Sequence, residues 1–224
     1  MVGESSVISC VELTMNLFTP IDLDGVISDK DVEGGVVRDP HITVFFGGKS
    51  YVPSEEVIPF LERVCPSEVS RIKTLCEKDQ WFGDRVLDNF YLSNFENDTD
   101  SLVLKLKKDN QLFEDLSAIN KTMRSKYGLH TEFRNYVPHV SLANLKKGES
   151  KKYLNNSTLY NVLQDSFIKP DDFAVSYTNH EDVETIVNLT SYNAVDRYFR
   201  LFNQEESRKE VMKMREESLK NENQ

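Results

Sequence analysis

Two short stretches decide how this chain folds: Pro40-His41-Ile42-Thr43-Val44 and Pro138-His139-Val140-Ser141-Leu142. Each is a Pro-His-x-[Thr/Ser] run inside alternating apolar residues, which predicts a β-strand. On a strand, residues i and i+2 share a face. His41 therefore projects with Thr43 and His139 with Ser141, while Ile42, Val44, Val140 and Leu142 point to the opposite, apolar side. A single H-x-[ST] is a weak signal, because His130 lies beside Thr131 by accident. Two copies, each preceded by proline and each inside a strand pattern, are much more specific.

Outward from these motifs the chain repeats itself. Val7–Leu17 alternates as a first strand, and a polar Asp- and Gly-containing loop leads to Asp39. After the first motif, Val57, Phe60, Leu61 and Val64 mark a helix from Ser54 to about Val64, with Ser54 as N-cap. Val69–Leu75 and Val86–Leu92 are read as strands, and Leu102–Leu106 as a clearer one. Leu112, Leu116, Ile119 and Met123 form the stripe of a helix starting at Asp109 or Asn110 and stopping at Gly128. After the second motif come a Lys-rich loop, a weaker helix within residues 150–165, and a hairpin of Phe173–Thr178 with Val183–Leu189. The two motif histidines are 98 residues apart, about half of the globular part. A two-lobed α+β fold related by approximate duplication is the expectation. Residues 1–202 form the domain, and 203–224 a charged helix or disordered tail. That tail has 11 charged residues in 22 and no aromatic, so it carries no chemistry.

Composition bounds the partners. The chain has 224 residues, with 27 Lys+Arg against 37 Asp+Glu, a net charge of −10. This acidity argues against coating long duplex DNA or RNA, whose binding rests on neutralising phosphates, but leaves room for a small phosphorylated ligand. Thirteen Phe and 39% apolar residues suffice for a core. Cys10, Cys65 and Cys76 lack C-x-x-C spacing and read as reduced thiols. Neither a signal peptide nor a membrane span is visible, so the N-x-[ST] sequons are incidental and a cytoplasmic location is expected.

If the two strands face one cleft, two imidazoles and two hydroxyls meet one ligand. That set fits phosphodiester cleavage. One neutral His takes a proton from the nucleophile, the other protonates the leaving oxygen, and the hydroxyls bind phosphate oxygens. The ordinary pKa of His, about 6.5, gives access to both protonation states near neutral pH. Which His is base stays open, and the chemistry needs no metal or cofactor.

The paired motifs resemble the signature of the 2H phosphoesterase superfamily, which includes 2′-5′ RNA ligase-like proteins and cyclic nucleotide phosphodiesterases. Arg134-Asn135-Tyr136 is similar to the basic-aromatic lead-in of many members. Asp39-Pro40-His41-Ile42-Thr43-Val44-Phe45-Phe46-Gly47 resembles short bacteriophage members most closely. The resemblance spans roughly residues 7 to 190. It implies a bilobal fold, with two antiparallel sheets flanking a central cleft and helices outside. It makes His41 and His139 the acid/base pair, and Thr43 and Ser141 the phosphate-binding hydroxyls. Members open 2′,3′-cyclic phosphates, cut 2′-5′ bonds or linearise cyclic oligonucleotides. Phage members include nucleases that destroy the cyclic oligonucleotide signals of anti-phage defence, which implies a host-cytoplasmic setting. Three departures stand out: Ser in place of the commoner Thr in the second motif, which keeps the hydroxyl, and, larger, the charged C-terminal extension and the acidic total.

Other candidates are weaker. Gly47-Gly48-Lys49-Ser50 mimics the end of a P-loop, but the full pattern needs Gly where Thr43 stands, and Pro53 interrupts the helix that should follow. Lys49 is kept as a substrate-binding candidate at a strand end, with Arg134, Tyr136 and Lys146. Lys146, Lys147, Lys151 and Lys152 form either a solvated loop or a phosphate-steering cluster. His130 and His180 lack metal-ligand spacing and read as surface or turn residues. Phe46 and Trp81 read as core or interface aromatics more readily than as base-stacking ones. Beside the phosphodiesterase stand an RNA end-processing enzyme, a protein that only sequesters a nucleotide, and an interaction protein working through its tail. The last leaves the duplicated motif unexplained.

Overall fold

Proline has no N–H to give to a sheet, so Pro40 and Pro138 open their strands through their carbonyls. Pro40 O accepts from Leu17 N at 2.9 Å, and Pro138 O from Leu106 N at 3.0 Å. A computed structural model describes residues 8–19, 21–38, 40–47, 54–77, 85–127, 135–179 and 184–188. It contains strands β1 (Ile8–Phe18), β2 (Val32–Val36), β3 (His41–Gly47), β4 (Phe90–Glu96), β5 (Asp100–Leu106), β6 (His139–Leu145), β7 (Lys169–Asn179) and β8 (Glu184–Asn188). The helices are α1 (Ser54–Val64), α2 (Pro66–Glu77), α3 (Val86–Asn89), α4 (Gln111–Tyr127), α5 (Ser150–Leu154) and α6 (Ser157–Gln164). No helix among the described residues is long and apolar enough to cross a membrane.

The expected two sheets are one connected antiparallel sheet of eight strands, in the order β4-β5-β6-β3-β1-β7-β8 with β2 also on β6. Its halves join through one register pair, Ile42 with Val140, each the residue after a motif histidine. The pairing on either side repeats. On β1–β3, Asn16 faces His41, Thr14 faces Thr43 and Leu13 faces Phe45, so Val44 is bulged. On β5–β6, Lys105 faces His139, Val103 faces Ser141 and Leu102 faces Ala143, so Leu142 is bulged. Each bulge falls three residues after its histidine and turns the alternation, so Val44 with Phe45, and Leu142 with Ala143, are consecutively buried.

The repetition extends to the helices that follow each motif strand, α1 and α2 after β3 and α5 and α6 after β6. Helix α4, which precedes β6, has no counterpart before β3 among the described residues. Helix α4 packs on β3, and α1 and α2 pack on β7. Ile42, Val44, Val140 and Leu142 join the helices' apolar residues in the core. The histidine face is therefore the one turned away from that core.

Three readings are corrected. Val69–Leu75 belongs to α2, because Cys65, Val69, Ile72 and Cys76 are buried at helical spacing and Pro66 suits a first helical position. Val86–Leu92 is split between a turn of helix and β4. The loop before Asp39 contains β2, whose Glu33-Gly34-Gly35 has no alternating pattern. Gly34 fits there because a Cβ on it would lie 3.0 Å from Asn144 Cβ. Residues 150–165 form two short helices, the second capped by Asn156 accepting from Leu159 N. Asn110 caps α4 by accepting from Leu112 N at 2.9 Å. The tail, 203–224, lies outside the described residues, as do His130, His180 and Trp81.

Asp100 fixes the far end of the β5–β6 pair. Its buried Oδ2 accepts from Ser150 Oγ at 2.6 Å, Gly148 N at 3.0 Å and Ser150 N at 3.1 Å. These donors, led by the Ser150 hydroxyl, hold the carboxyl below its ordinary range against the opposing effect of burial. Asp100→Ala should cost about 2 kcal/mol of stability at neutral pH, since buried donors lose their acceptor. The folded pKa is depressed, so the carboxylate's contribution is complete above about pH 4 and is lost as pH falls through the folded value. Denaturant melts should show the gap between wild type and variant narrowing in acid.

Candidate active site

The Ile42–Val140 pair fixes what stands beside it. In an antiparallel pair the flanking residues are opposed in turn, so Thr43 comes beside His139 and His41 beside Ser141. All four are half-buried on one face. The two imidazoles are close enough that the charge of His41 helps to depress the pKa of His139. The residues expected as acid/base pair and phosphate hydroxyls are thus brought together by strand register.

Beyond this joint the strands diverge, and the two gaps are closed differently. Beside the second half of β6, the chain entering β3 stays paired: β2 runs along Ala143–Leu145, and Val37 N donates to Leu142 O at 2.8 Å. Offset by the same 98 residues, Leu142 corresponds to Val44 and Val37 to Asn135. There the backbone bond is replaced by a side chain, with Asn120 Nδ2 of α4 donating to Val44 O at 2.7 Å. A cavity of about 410 Å³ opens on this side, between Thr43–Phe46 and Asn135–His139. Glu12, Phe95, Asn97, Ser101 and Asn120 complete its walls. Thr43 and His139 line it; His41 and Ser141 are not in its lining.

Four groups here were not anticipated from the sequence. Glu12 of β1 accepts a hydrogen bond from Thr43 Oγ1 at 2.8 Å. That hydroxyl proton must be redirected before Thr43 can donate to a phosphate oxygen. Phe95 of β4 meets the His139 ring edge-on, with centroids 4.8 Å apart and planes at 74°. Lys105 Nζ sits 4.2 Å from the Phe95 centroid and donates to Asn94 O at 3.3 Å. Asn120 holds the bulge. Their signal in the sequence was faint: each is one polar or aromatic residue on a strand or helix read for its apolar stripe.

His139 Nδ1 lies 2.8 Å from Val137 O. A carbonyl only accepts, so Nδ1 carries the proton and Nε2 keeps the lone pair when the ring is neutral. Burial lowers the His139 pKa most; the bond to Val137 opposes this, and the charges of Lys105 and His41 add to the lowering. The ring is thereby biased towards its neutral form.

The other expected site residues scatter. Tyr136 lines the cavity, but its hydroxyl is buried with no hydrogen-bond partner among the described residues, and burial pushes the phenol up. Phe46, read as a core residue, is 47% exposed and also lines the cavity. Lys146 is not brought to the histidines. It follows the far end of β6, about 20 Å along the strand from His139, and its Nζ donates to Lys30 O at 2.7 Å. Its neighbours pair with acids, Lys151 with Glu96 and Lys152 with Asp31 and Glu149. Lys49 and Arg134 lie outside the described residues. Among the described residues no group of three His, Cys, Asp or Glu is placed to hold a metal ion.

No protein-family model matches the chain, and no curated protein matches it. Matches among solved structures include Usb1 of Kluyveromyces marxianus, at 12% identity and TM-score 0.37 over 82% of this chain and 99% of that one. A second is LigT of E. coli complexed with 3′-AMP, at 12% identity and TM-score 0.38 over 80% and 96%. The same Usb1 with uridine monophosphate matches at 11% identity and TM-score 0.35 over 81% and 98%. Likenesses this low decide nothing about chemistry. What the chain shows by itself is a mixed α/β fold with an antiparallel sheet and two histidines on one face of it.

Glu12 gives the site its own test. A carboxylate beside the expected phosphate position repels it by about 1 kcal/mol in a solvated cleft. Glu12→Gln keeps an oxygen for Thr43 and removes the charge. A nucleoside 3′-monophosphate should bind the variant about fivefold tighter by calorimetry; weaker binding would show that the carboxylate itself is needed.

Proposed function

We propose that the protein is a phosphodiesterase of the 2H phosphoesterase type, acting without a metal on a cyclic or short oligoribonucleotide. One observation carries this reading: the Ile42–Val140 register pair, which sets two His-x-[Thr/Ser] motifs side by side on one face. The ribose 2′-oxygen attacks the neighbouring phosphorus as one imidazole removes its proton. The bond from phosphorus to the 5′-oxygen breaks, and the other imidazole protonates that oxygen. The products are a 2′,3′-cyclic phosphate and a free 5′-hydroxyl. Thr43 and Ser141 hold the non-bridging oxygens, and the buried setting of the rings strengthens each contact.

Substrate size follows from the cavity and the charge. A volume of about 410 Å³ lies within the range of small-molecule sites. With a net charge of −10 the protein repels a long polyanion. Phe95 and Phe46 offer aromatic surface for one unstacked base. A finer reading, destruction of cyclic oligonucleotide immune signals by a phage nuclease, is supported by the likeness of residues 39–47 to short bacteriophage members. RNA end processing, by opening 2′,3′-cyclic phosphates or cutting or joining 2′-5′ bonds, uses the same groups and is the second reading.

Cyclic di- and trinucleotides, 2′,3′-cyclic mononucleotides and 2′-5′ oligomers, each incubated with the protein in EDTA and resolved by chromatography, separate these substrates. His41→Ala and His139→Ala should each reduce turnover by about 10²-fold or more while ligand binding persists. Loss of all turnover in EDTA, or wild-type rates in either variant, would sink the two-histidine mechanism. Stoichiometric recovery of unchanged ligand would favour a sequestering protein instead.

A further inference from the structure

The two motif histidines are related by the sheet's repeat, yet their partners across the strand differ. In register, His41 is paired with Asn16 and His139 with Lys105. Residues opposed on adjacent antiparallel strands share a face, so the ammonium stands on the histidine side of the sheet. It is held there. The Phe95 ring centroid lies 4.2 Å from Lys105 Nζ and 4.8 Å from the His139 ring centroid, the two rings being T-shaped, and Asn94 O accepts from the ammonium at 3.3 Å. The Val137 carbonyl fixes the other side of the ring through Nδ1, which leaves Nε2 as the proton acceptor.

We propose that Lys105 is the positioning residue that divides the labour between the histidines: clamped on Phe95 beside His139, it holds His139 as the neutral general base and leaves His41 the general acid. This rests on the phosphodiesterase reading above. Burial and one further charge act with Lys105, while the Glu12 carboxylate stands against it. From β3, the charge of His41 acts on His139 in the same direction as Lys105, and burial adds to both. Glu12 of β1 lines the same cavity, and its Oε1 is occupied by the Thr43 hydroxyl. The Tyr136 phenol is held neutral by burial. β4 contributes an uncharged ring and α4 an amide. In the reaction, His139 Nε2 takes the proton from the 2′-hydroxyl, and protonated His41 gives one to the departing 5′-oxygen. Each turnover leaves the pair inverted, and exchange with water restores it.

Two measurements on the full chain test this. In the free protein, imidazole titrations followed by NMR should show the His139 midpoint rising in Lys105→Met and returning towards wild type in Lys105→Arg. A midpoint unmoved by Lys105→Met overturns the proposal, and this arm stands whether or not the protein turns over a phosphodiester. In turnover, the acid limb of kcat/KM should move to higher pH in Lys105→Met. A rise in KM at every pH with no movement of that limb would make Lys105 a phosphate ligand instead. A ribonucleoside 3′-(p-nitrophenyl phosphate) needs no acid for its leaving group. His41→Ala should therefore recover most of its lost rate on it, and His139→Ala should not. Recovery by His139→Ala alone would reverse the assignment.

Discussion

One strand-to-strand contact, the Ile42–Val140 pair between β3 and β6, is what the rest of the site depends on. On the apolar side of that contact the motif strands give Ile42, Val44, Val140 and Leu142 to the core, and on the other side they present two imidazoles and two hydroxyls. A slip of one residue would send His41 and Thr43 into the core while leaving His139 and Ser141 in the cleft. The register is held against such a slip from both flanks. The Pro40 and Pro138 carbonyls are bonded to β1 and β5, and a bulge stands three residues after each histidine. Apolar burial at Ile42, Val44, Val140 and Leu142 supplies the driving force, at roughly 1.5–3 kcal/mol for each fully buried side chain.

The repeat also explains why the cavity lies on one side only. At both ends of the β3–β6 contact the strands part and leave backbone groups to satisfy. Near Leu142 the chain itself returns as β2 and fills the space, helped by Gly34, which lets it approach Asn144, and by Gly35, which adopts a positive φ. Near Val44 an amide from α4 does the same work with less bulk, and the space left over is the cavity. A nearly symmetric sheet thus gives an asymmetric site, with Thr43 and His139 inside the cavity wall and His41 with Ser141 beyond its lining. The charged Lys105, opposed to His139, extends that asymmetry from shape to electrostatics.

The motifs and their faces were legible from sequence because strand alternation is a local property, visible in seven residues. So were β1, β5, α1, α4 and the β7–β8 hairpin, each with a clean period. α2 was misread because Val69, Ile72 and Leu75 at spacing three also satisfy a loose strand pattern, and only packing against β7 and α4 decides between them. β2 was invisible because its Glu-Gly-Gly centre is set by what it pairs with. The repeat of the motifs was legible, but the single connected sheet was not, since one register pair leaves no trace in composition. Glu12, Phe95 and Lys105 were missed for a related reason: Lys105 is opposed to His139 across strands, while Glu12 and Phe95 reach Thr43 and His139 through a side-chain hydrogen bond and a ring contact, and no spacing along the chain records that. The Lys146 cluster shows the converse, where basic residues adjacent in sequence to a motif lie at the opposite end of its strand.

The acidity that first argued against nucleic acid now limits ligand size, because among the described residues cations beside the site are few and the best-placed of them, Lys105, is turned to a histidine. The central claim is that His41 and His139 serve one ligand. It is tested most directly by adding a nucleoside with vanadate, a mimic of the pentacoordinate phosphorus, while following both imidazoles by NMR. Both sets of resonances should shift together along a single binding curve. Response of only one histidine, or two curves with different midpoints, would contradict a shared site.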